Sequence, residues 1–125
     1  MTILSANLEY MFKEAGDKLE ARIRLAATSG ITHVEFFTLD NRDVEAVRKA
    51  LQDTGITLHT MLVNPRIMLV LKDTHAEFLD AFTTTAKHAK ALGCKNLVCG
   101  SGTGAPFLPR KASQDVVADA IAQAS

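Results

Sequence analysis

Polar side chains able to bind a small oxygen-rich molecule follow apolar, β-type runs at several points of this sequence. They are Asn7, Glu35, Asn64, Arg66, Ser101 and Thr103. Amides and hydroxyls can exchange hydrogen bonds with a substrate hydroxyl or carbonyl, and an arginine can hold a carboxylate through two parallel hydrogen bonds. An ordinary surface arginine on a loop is the alternative interpretation of Arg66.

Glu35 stands between two apolar residues, Val34 and Phe36. If those two face covering helices, strand alternation points Glu35 to the opposite face. A carboxylate held away from water is costly unless it is paired or functional. Two interpretations therefore stay open, a carboxylate in a binding pocket and a structural one held by hydrogen bonds.

The four histidines carry different expectations. His59 lies mid-strand and can donate a hydrogen bond to a substrate oxygen or act as an acid. The favoured alternative is a buried histidine with satisfied hydrogen bonds. We expect His33 at the surface, where its spacing makes no ligand pair with His59, and we expect His75 and His88 to be solvated on helices.

The segment 100–104, Gly-Ser-Gly-Thr-Gly, suggests a phosphate-binding turn. It lacks the Gly-Lys-Ser/Thr ending of a P-loop, and its spacing does not fit the dinucleotide fingerprint. Its backbone amides can still hold an anion, although a flexible loop is the favoured interpretation. Cys94 and Cys99 do not form a Cys-x-x-Cys pair, so we expect small buried apolar residues rather than a metal or redox site.

A recurring sequence pattern indicates the helices and strands that position these residues. Gly30, Gly55 and Gly93 each close a helix-patterned stretch and are followed at once by a β-type run. Glycine ends helices because it adopts positive φ without strain. Repeated helix–glycine–strand units predict a parallel β/α sheet or barrel.

Four β/α units are predicted. The strands are predicted at 3–7, 33–37, 57–63 and 97–99. Capping boxes at 17–20 and 74–77 predict the starts of the first and third helices. The second helix is predicted to start at Asp40 or Asn41, and the last to run from Ser113 to Ser125.

Composition limits the possible partners. The chain has 125 residues, 47% hydrophobic and 22% charged, with 14 basic and 14 acidic side chains. A net charge of zero argues against a dedicated nucleic-acid surface. No apolar run approaches the roughly 20 residues that span a bilayer, and no basic segment leads into an apolar one at the N-terminus. We expect a cytoplasmic protein without nucleic-acid or membrane partners.

Three segments resemble a known family. The Ser5–Phe12 opening, Val34–Phe36 and Leu92–Gly100 resemble hydroxypyruvate isomerases, which belong to the xylose-isomerase-like group of (β/α)₈ barrels. That group also holds sugar epimerases and an endonuclease branch. The resemblance covers essentially all of the chain. It implies an α/β fold in which residues 1–125 form the N-terminal, parallel (β/α)₄ half of a TIM barrel.

The resemblance also implies a reaction. Hydroxypyruvate and tartronate semialdehyde would interconvert as a proton moves between adjacent carbons through an enediol. A carboxylate base and an electrophile are needed, and a divalent cation can supply the latter. A small keto acid or a sugar is the implied substrate class.

In that family the metal-binding and base carboxylates lie on later strands, and a TIM barrel takes about 250 residues. We therefore carry over no catalytic and no metal-ligating residue. The full-length family is expected to use a divalent metal that this chain alone does not bind, and the isolated chain is expected to be inactive.

Active sites of such barrels lie at the carboxyl ends of the strands. This rule selects Asn7, Glu35, Asn64, Arg66, Ser101 and Thr103. The substrate-lining candidates are the first five of these, with His59 added from mid-strand. An alternative is a non-catalytic half-barrel that associates through its open edges, so we expect a homo-oligomer. A further alternative is a small flavodoxin-like domain with helices on both faces of its sheet.

Overall fold

The computed structural model describes residues 2–125 and contains four strands and four α-helices. In chain order they are β1 (Ser5–Asn7), α1 (Leu19–Thr28), β2 (His33–Glu35), α2 (Val44–Thr54), β3 (Thr57–Leu62), α3 (His75–Ala91), β4 (Asn96–Val98) and α4 (Arg110–Ala124). The strands form one sheet in the order β1-β2-β3-β4, with β1 parallel to β2 and β2 parallel to β3. The predicted parallel β/α fold is confirmed.

The chain divides into two compact units. The first holds the chain up to Met61 together with His88–Leu97, and the second holds Leu62–Lys87 and Val98–Ser125. Among the described residues, no helix is both long enough and apolar enough to cross a membrane.

Strand alternation builds the core of the first unit. Ala6, Val34 and Leu58 are register partners on three neighbouring strands, and all three are buried. They belong to one apolar cluster with residues of α1 and α2, such as Ile23 and Val47. Residues that alternate with these on the strands are more exposed. The flavodoxin-like alternative was therefore wrong for this unit, because only one face of its sheet is covered.

The recurring glycines behave as the sequence predicted. Gly55 is the C-cap of α2 with φ of 69°, and Gly30 follows α1 with φ of 81°. The strands β1, β2 and β3 are shorter than predicted, and β4 is displaced by one residue.

Three predicted helix starts were wrong, and a different local contact explains each. Asp43, not Asp40 or Asn41, caps α2 by accepting a 2.9 Å hydrogen bond from the Ala46 N–H. Asn41 has φ of 56°, a left-handed conformation that a right-handed helix excludes. Asp17 caps nothing, because Lys18 occupies the N-cap of α1.

The third helix begins at His75, as the capping box at 74–77 predicted, and the fourth begins earlier than predicted. Thr74 Oγ1 lies 2.7 Å from the carbonyl oxygens of both Met68 and Leu71 and donates its one hydrogen to one of them, so it is engaged in the preceding turn. The fourth helix begins three residues before Ser113, because the Ser113 N–H already closes a turn onto the Pro109 carbonyl at 3.0 Å.

Candidate substrate-binding site

Asn7 and Glu35 form a hydrogen-bonded pair at the carboxyl ends of β1 and β2. They are register partners, and Asn7 Nδ2 donates to Glu35 Oε1 at 3.1 Å. Asn7 Oδ1 accepts from the Glu9 N–H at 2.9 Å, so both ends of the amide are fixed. Val34 and Phe36 are fully buried, which confirms that Glu35 faces away from the helices.

This pair keeps unused hydrogen-bonding capacity. An amide nitrogen carries two hydrogens and a carboxylate has two oxygens. Within residues 2–125, the second hydrogen of Asn7 Nδ2 and the second oxygen of Glu35 have no partner. One donor and one anionic acceptor side by side match a hydroxyl group, which accepts from the first and donates to the second.

Glu9 ties the loop after β1 to the loop after β2. Its Oε1 accepts from the Phe37 N–H at 2.8 Å, and its Oε2 accepts from Arg42 at 2.7 Å. Burial acts to raise the pKa of Glu9, but the hydrogen bonds from Arg42 and Phe37 outweigh it and hold this pKa below its usual value. Arg42 also donates to the Thr38 carbonyl and lies 5.8 Å from the centre of the Phe36 ring.

Arg22 fixes the other end of the loop after β1. Its buried guanidinium donates to the carbonyls of Leu8 at 2.8 Å and Gly16 at 2.7 Å. These two bonds satisfy carbonyls of an irregular segment, so the backbone beside Asn7 is held from both sides.

An aromatic pair lies on the same two loops. Tyr10 and Phe37 have ring centres 5.8 Å apart and an interplanar angle of 76°, an edge-to-face contact. The Tyr10 side chain is 70% exposed. Sequence reasoning missed this pair together with Glu9 and Arg42. The one available signal was strand alternation, which places Phe37, two residues beyond Glu35, on the same face as Glu35.

The expectations for the histidines were partly wrong. His59 is exposed rather than buried, because it alternates with buried Leu58 on β3 and so lies on the face opposite the core. An irregularity in the β2–β3 register pairs Glu35 with Thr60 and leaves His59 as an extra residue. His33 is half-buried and lines a cavity of about 130 Å³ with His59, Ser5 and Ile3. The spacing of the two histidines had not suggested this shared cavity.

The other two histidines lie on α3. His75 is buried instead of solvated, and its Nε2 lies 3.0 Å from the Leu69 carbonyl. His88 is exposed as expected.

The remaining candidates belong to the second unit. Asn64 is half-buried, and its backbone N–H donates to Thr85 Oγ1 at 3.3 Å. Arg66 and Ser101 are both exposed. Arg66 Nε lies only 3.2 Å from the position that a Cβ on Gly100 would occupy, so this side chain crosses the glycine closely.

The divalent metal that the sequence resemblance implies for the full-length family stays a prediction. Within residues 2–125, no three histidine, cysteine, aspartate or glutamate side chains are grouped as a ligand set. We derive no chemical step through a metal from this part of the molecule. Cys94 is buried and Cys99 half-buried, and burial raises the pKa of both thiols.

Comparison with known proteins places this geometry in a family. Residues 23–125 match the family model described as xylose isomerase-like TIM barrel. The crystal structure of an AP endonuclease, family 2, from Brucella melitensis is 28% identical with a TM-score of 0.87, covering 99% of this chain and 50% of that chain. No curated protein matches the chain.

Two further solved structures share the fold at lower identity. A 3-keto-D-glucoside 4-epimerase from E. coli is 15% identical with a TM-score of 0.76, covering 98% of this chain and 50% of that one. A sugar phosphate isomerase/epimerase from Parabacteroides distasonis is 18% identical with a TM-score of 0.75, covering 100% and 49%. The chain spans about half the length of these structures. It belongs to the xylose isomerase-like TIM barrel family and has the fold of a (β/α)₄ half-barrel.

Proposed function

We propose that this chain forms the substrate-binding half of an isomerase or epimerase barrel that acts on an α-hydroxy carbonyl compound. The observation that carries the proposal is the Asn7–Glu35 pair, which offers one N–H and one carboxylate oxygen to a substrate hydroxyl. Hydroxypyruvate, converted to tartronate semialdehyde, is the substrate that the sequence resemblance implies. Two of the solved relatives are named for sugar substrates. Two free cysteines fit a cytoplasmic setting.

In this proposal the chain binds and orients the substrate but does not move its proton. Isomerisation through an enediol needs a carboxylate base beside the reacting carbon and an electrophile at the oxygens. Glu35 is committed to Asn7 through one oxygen and serves as a hydroxyl acceptor through the other. The base and the divalent metal are proposed to come from the half of the barrel that this chain does not supply, so the chain alone has no turnover.

The site contains its own optical reporter. The sequence holds one tyrosine and no tryptophan, so intrinsic emission comes from Tyr10 alone. Its ring contacts Phe37, two residues beyond Glu35. We expect hydroxypyruvate or a monosaccharide to change this emission saturably. Glu35→Gln should weaken binding about tenfold or more, because it removes a charge-assisted acceptor.

Glu77→Gln is the matched control, since Glu77 is an exposed carboxylate on α3. A response that survives Glu35→Gln unchanged contradicts the proposed role of the pair. Turnover of hydroxypyruvate by the isolated chain, proportional to its concentration and lost in Glu35→Gln, contradicts the proposal that this half only binds.

A second candidate is an association module, because the sheet leaves its outer strands open. β1 and β4 stand at the two ends of the strand order, and the apolar side chains of Ile3 and Leu4 beside β1 are 58% and 75% exposed. Open edges and exposed apolar groups promote pairing with another chain. A defined dimer in size-exclusion light scattering supports this candidate, and a monodisperse monomer rules it out.

The name of the Brucella melitensis relative raises DNA hydrolysis at abasic sites as a third candidate. The balance of 14 basic and 14 acidic side chains argues against it. Salt-dependent binding of an oligonucleotide with an abasic site, stronger than binding of hydroxypyruvate, would favour this candidate over isomerisation.

A further inference from the structure

Arg66 differs from most other arginines of the chain. Of the six, four lie within 4 Å of a carboxylate: Arg22, Arg24, Arg42 and Arg48. Arg66 has no ion pair and no hydrogen bond to any residue that the structure describes. A guanidinium carries five N–H donors in a planar fork, and here all five are available.

The side chain of Arg66 lies against Gly100. A Cβ at position 100 would stand 3.2 Å from Arg66 Nε and 3.8 Å from both Cγ and Cδ. Gly100 is not among the glycines with positive φ, so its backbone does not require glycine. A methyl group at this position would instead displace the flexible arginine by a few tenths of an ångström.

The loop after β3, which carries Arg66, contacts the loop after β4, which carries Gly100. The Leu69 N–H donates to the Ser101 carbonyl at 3.1 Å. Gly102 packs onto Met68, whose Cα would stand 3.2 Å from a Cβ at that position. The segment after β3 and the segment after β4 therefore form one packed layer, and the arginine crosses it at Gly100.

We infer that Arg66, which lies against Gly100, is a binding site for the carboxylate or phosphate group of a small anion. An arginine with a free fork binds such groups through two parallel hydrogen bonds. Anion binding itself rests only on the contacts around Arg66.

The test follows the six arginine Nε–H resonances of the ¹⁵N-labelled chain, using inorganic phosphate and hydroxypyruvate as separate probes. Loss of one resonance in Arg66→Lys assigns that signal. We expect the Arg66 signal to move saturably. Isothermal titration calorimetry should show about tenfold weaker binding in Arg66→Lys, since the amine loses the bidentate geometry. A response to phosphate alone identifies a phosphate subsite, and one to hydroxypyruvate alone identifies a carboxylate subsite.

Arg110 is the control for binding of the anion by any exposed, unpaired arginine. It is exposed, lacks an ion-pair partner among the described residues, and lines a cavity of about 400 Å³ in the same unit. Arg110→Lys should leave the affinity unchanged. An unmoved Arg66 signal, or an Arg110 signal that responds with the same affinity, overturns the inference.

Gly100→Ala tests the positioning without removing the charge. The new methyl group displaces the guanidinium, so we expect several-fold weaker binding in the wild-type background and little further change in Arg66→Lys, which retains weaker binding. Equal effects in both backgrounds contradict the positioning by Gly100. The two proposals can fail separately. If Arg66 binds the anion but Glu35→Gln has no effect on ligand binding, the anion site is supported and the proposed recognition of a hydroxyl by Glu35 is contradicted.

Discussion

The two groups of candidate residues are built in opposite ways. Around Asn7 and Glu35, nearly every polar group is used: Glu9 holds Phe37 and Arg42, and Arg22 holds two carbonyls. Around Arg66, the side chain lies against Gly100 and the guanidinium bonds to no described residue. The first arrangement holds the backbone firmly and leaves one donor and one acceptor free, whereas the second leaves a whole guanidinium free for a ligand. Changes in Glu9 and Arg22, which hold the first group, should therefore affect folding, and changes in Arg66 should affect binding.

The largest expected effect on stability is that of Arg22→Ala. It leaves the carbonyls of Leu8 and Gly16 without their partner in a buried setting, which should lower the free energy of unfolding by about 2–4 kcal/mol. Chemical denaturation measures it. Arg24→Ala, which removes an exposed pair with Asp53, should cost clearly less. Equal losses would contradict the assigned role of Arg22.

Glu9→Gln should come next, with a loss of about 1–2 kcal/mol at neutral pH. The folded-state pKa of Glu9 lies below its usual value of 4.5, so its contribution is fully present above that value. The contribution disappears as pH falls through the lower, folded-state pKa. Unfolding measured between pH 7 and 3 should show a steeper acid loss in the wild type than in Glu9→Gln. If stability falls equally with pH in both proteins, the proposed link by Glu9 between the loops after β1 and β2 is contradicted.

Two glycine replacements compare the regions most simply. Gly55→Ala meets no atom within 4 Å but places a side chain at φ of 69°, so it should cost about 1 kcal/mol of stability. Gly100→Ala has no such backbone strain and should change stability by less than about 0.5 kcal/mol. Thermal unfolding compares them, and a reversed order would contradict the reason given for Gly100.

Arg66→Ala should have the smallest effect on folding, within about 0.5 kcal/mol, because its guanidinium bonds to no described residue. The same change should abolish the response to phosphate or hydroxypyruvate. A marked loss of stability would show that Arg66 serves the fold, and would remove the contrast between the two regions.

Local patterns predicted the parallel β/α order and placed Glu35 on the face of the sheet opposite the helices. Both predictions depend on near neighbours in the sequence, namely on glycines that end helices and on strand alternation. Local patterns did not predict the Glu9–Arg42 pair, whose members are 33 residues apart and meet only once β1 and β2 are adjacent. His59 was expected to be buried, but it alternates with buried Leu58 on β3 and is exposed. Helix starts failed where several capping residues compete, as Asp40, Asn41 and Asp43 do before α2.

The central claim is that Asn7 and Glu35 together bind a substrate hydroxyl. The most direct measurement follows the side-chain amide resonances of Asn7 while hydroxypyruvate, and separately a monosaccharide, is added to the ¹⁵N-labelled chain. The account predicts saturable movement of both Asn7 Nδ2 hydrogens in the wild type and in Glu77→Gln, and about tenfold weaker binding in Glu35→Gln. Asn7 resonances that stay fixed with both ligands would contradict it.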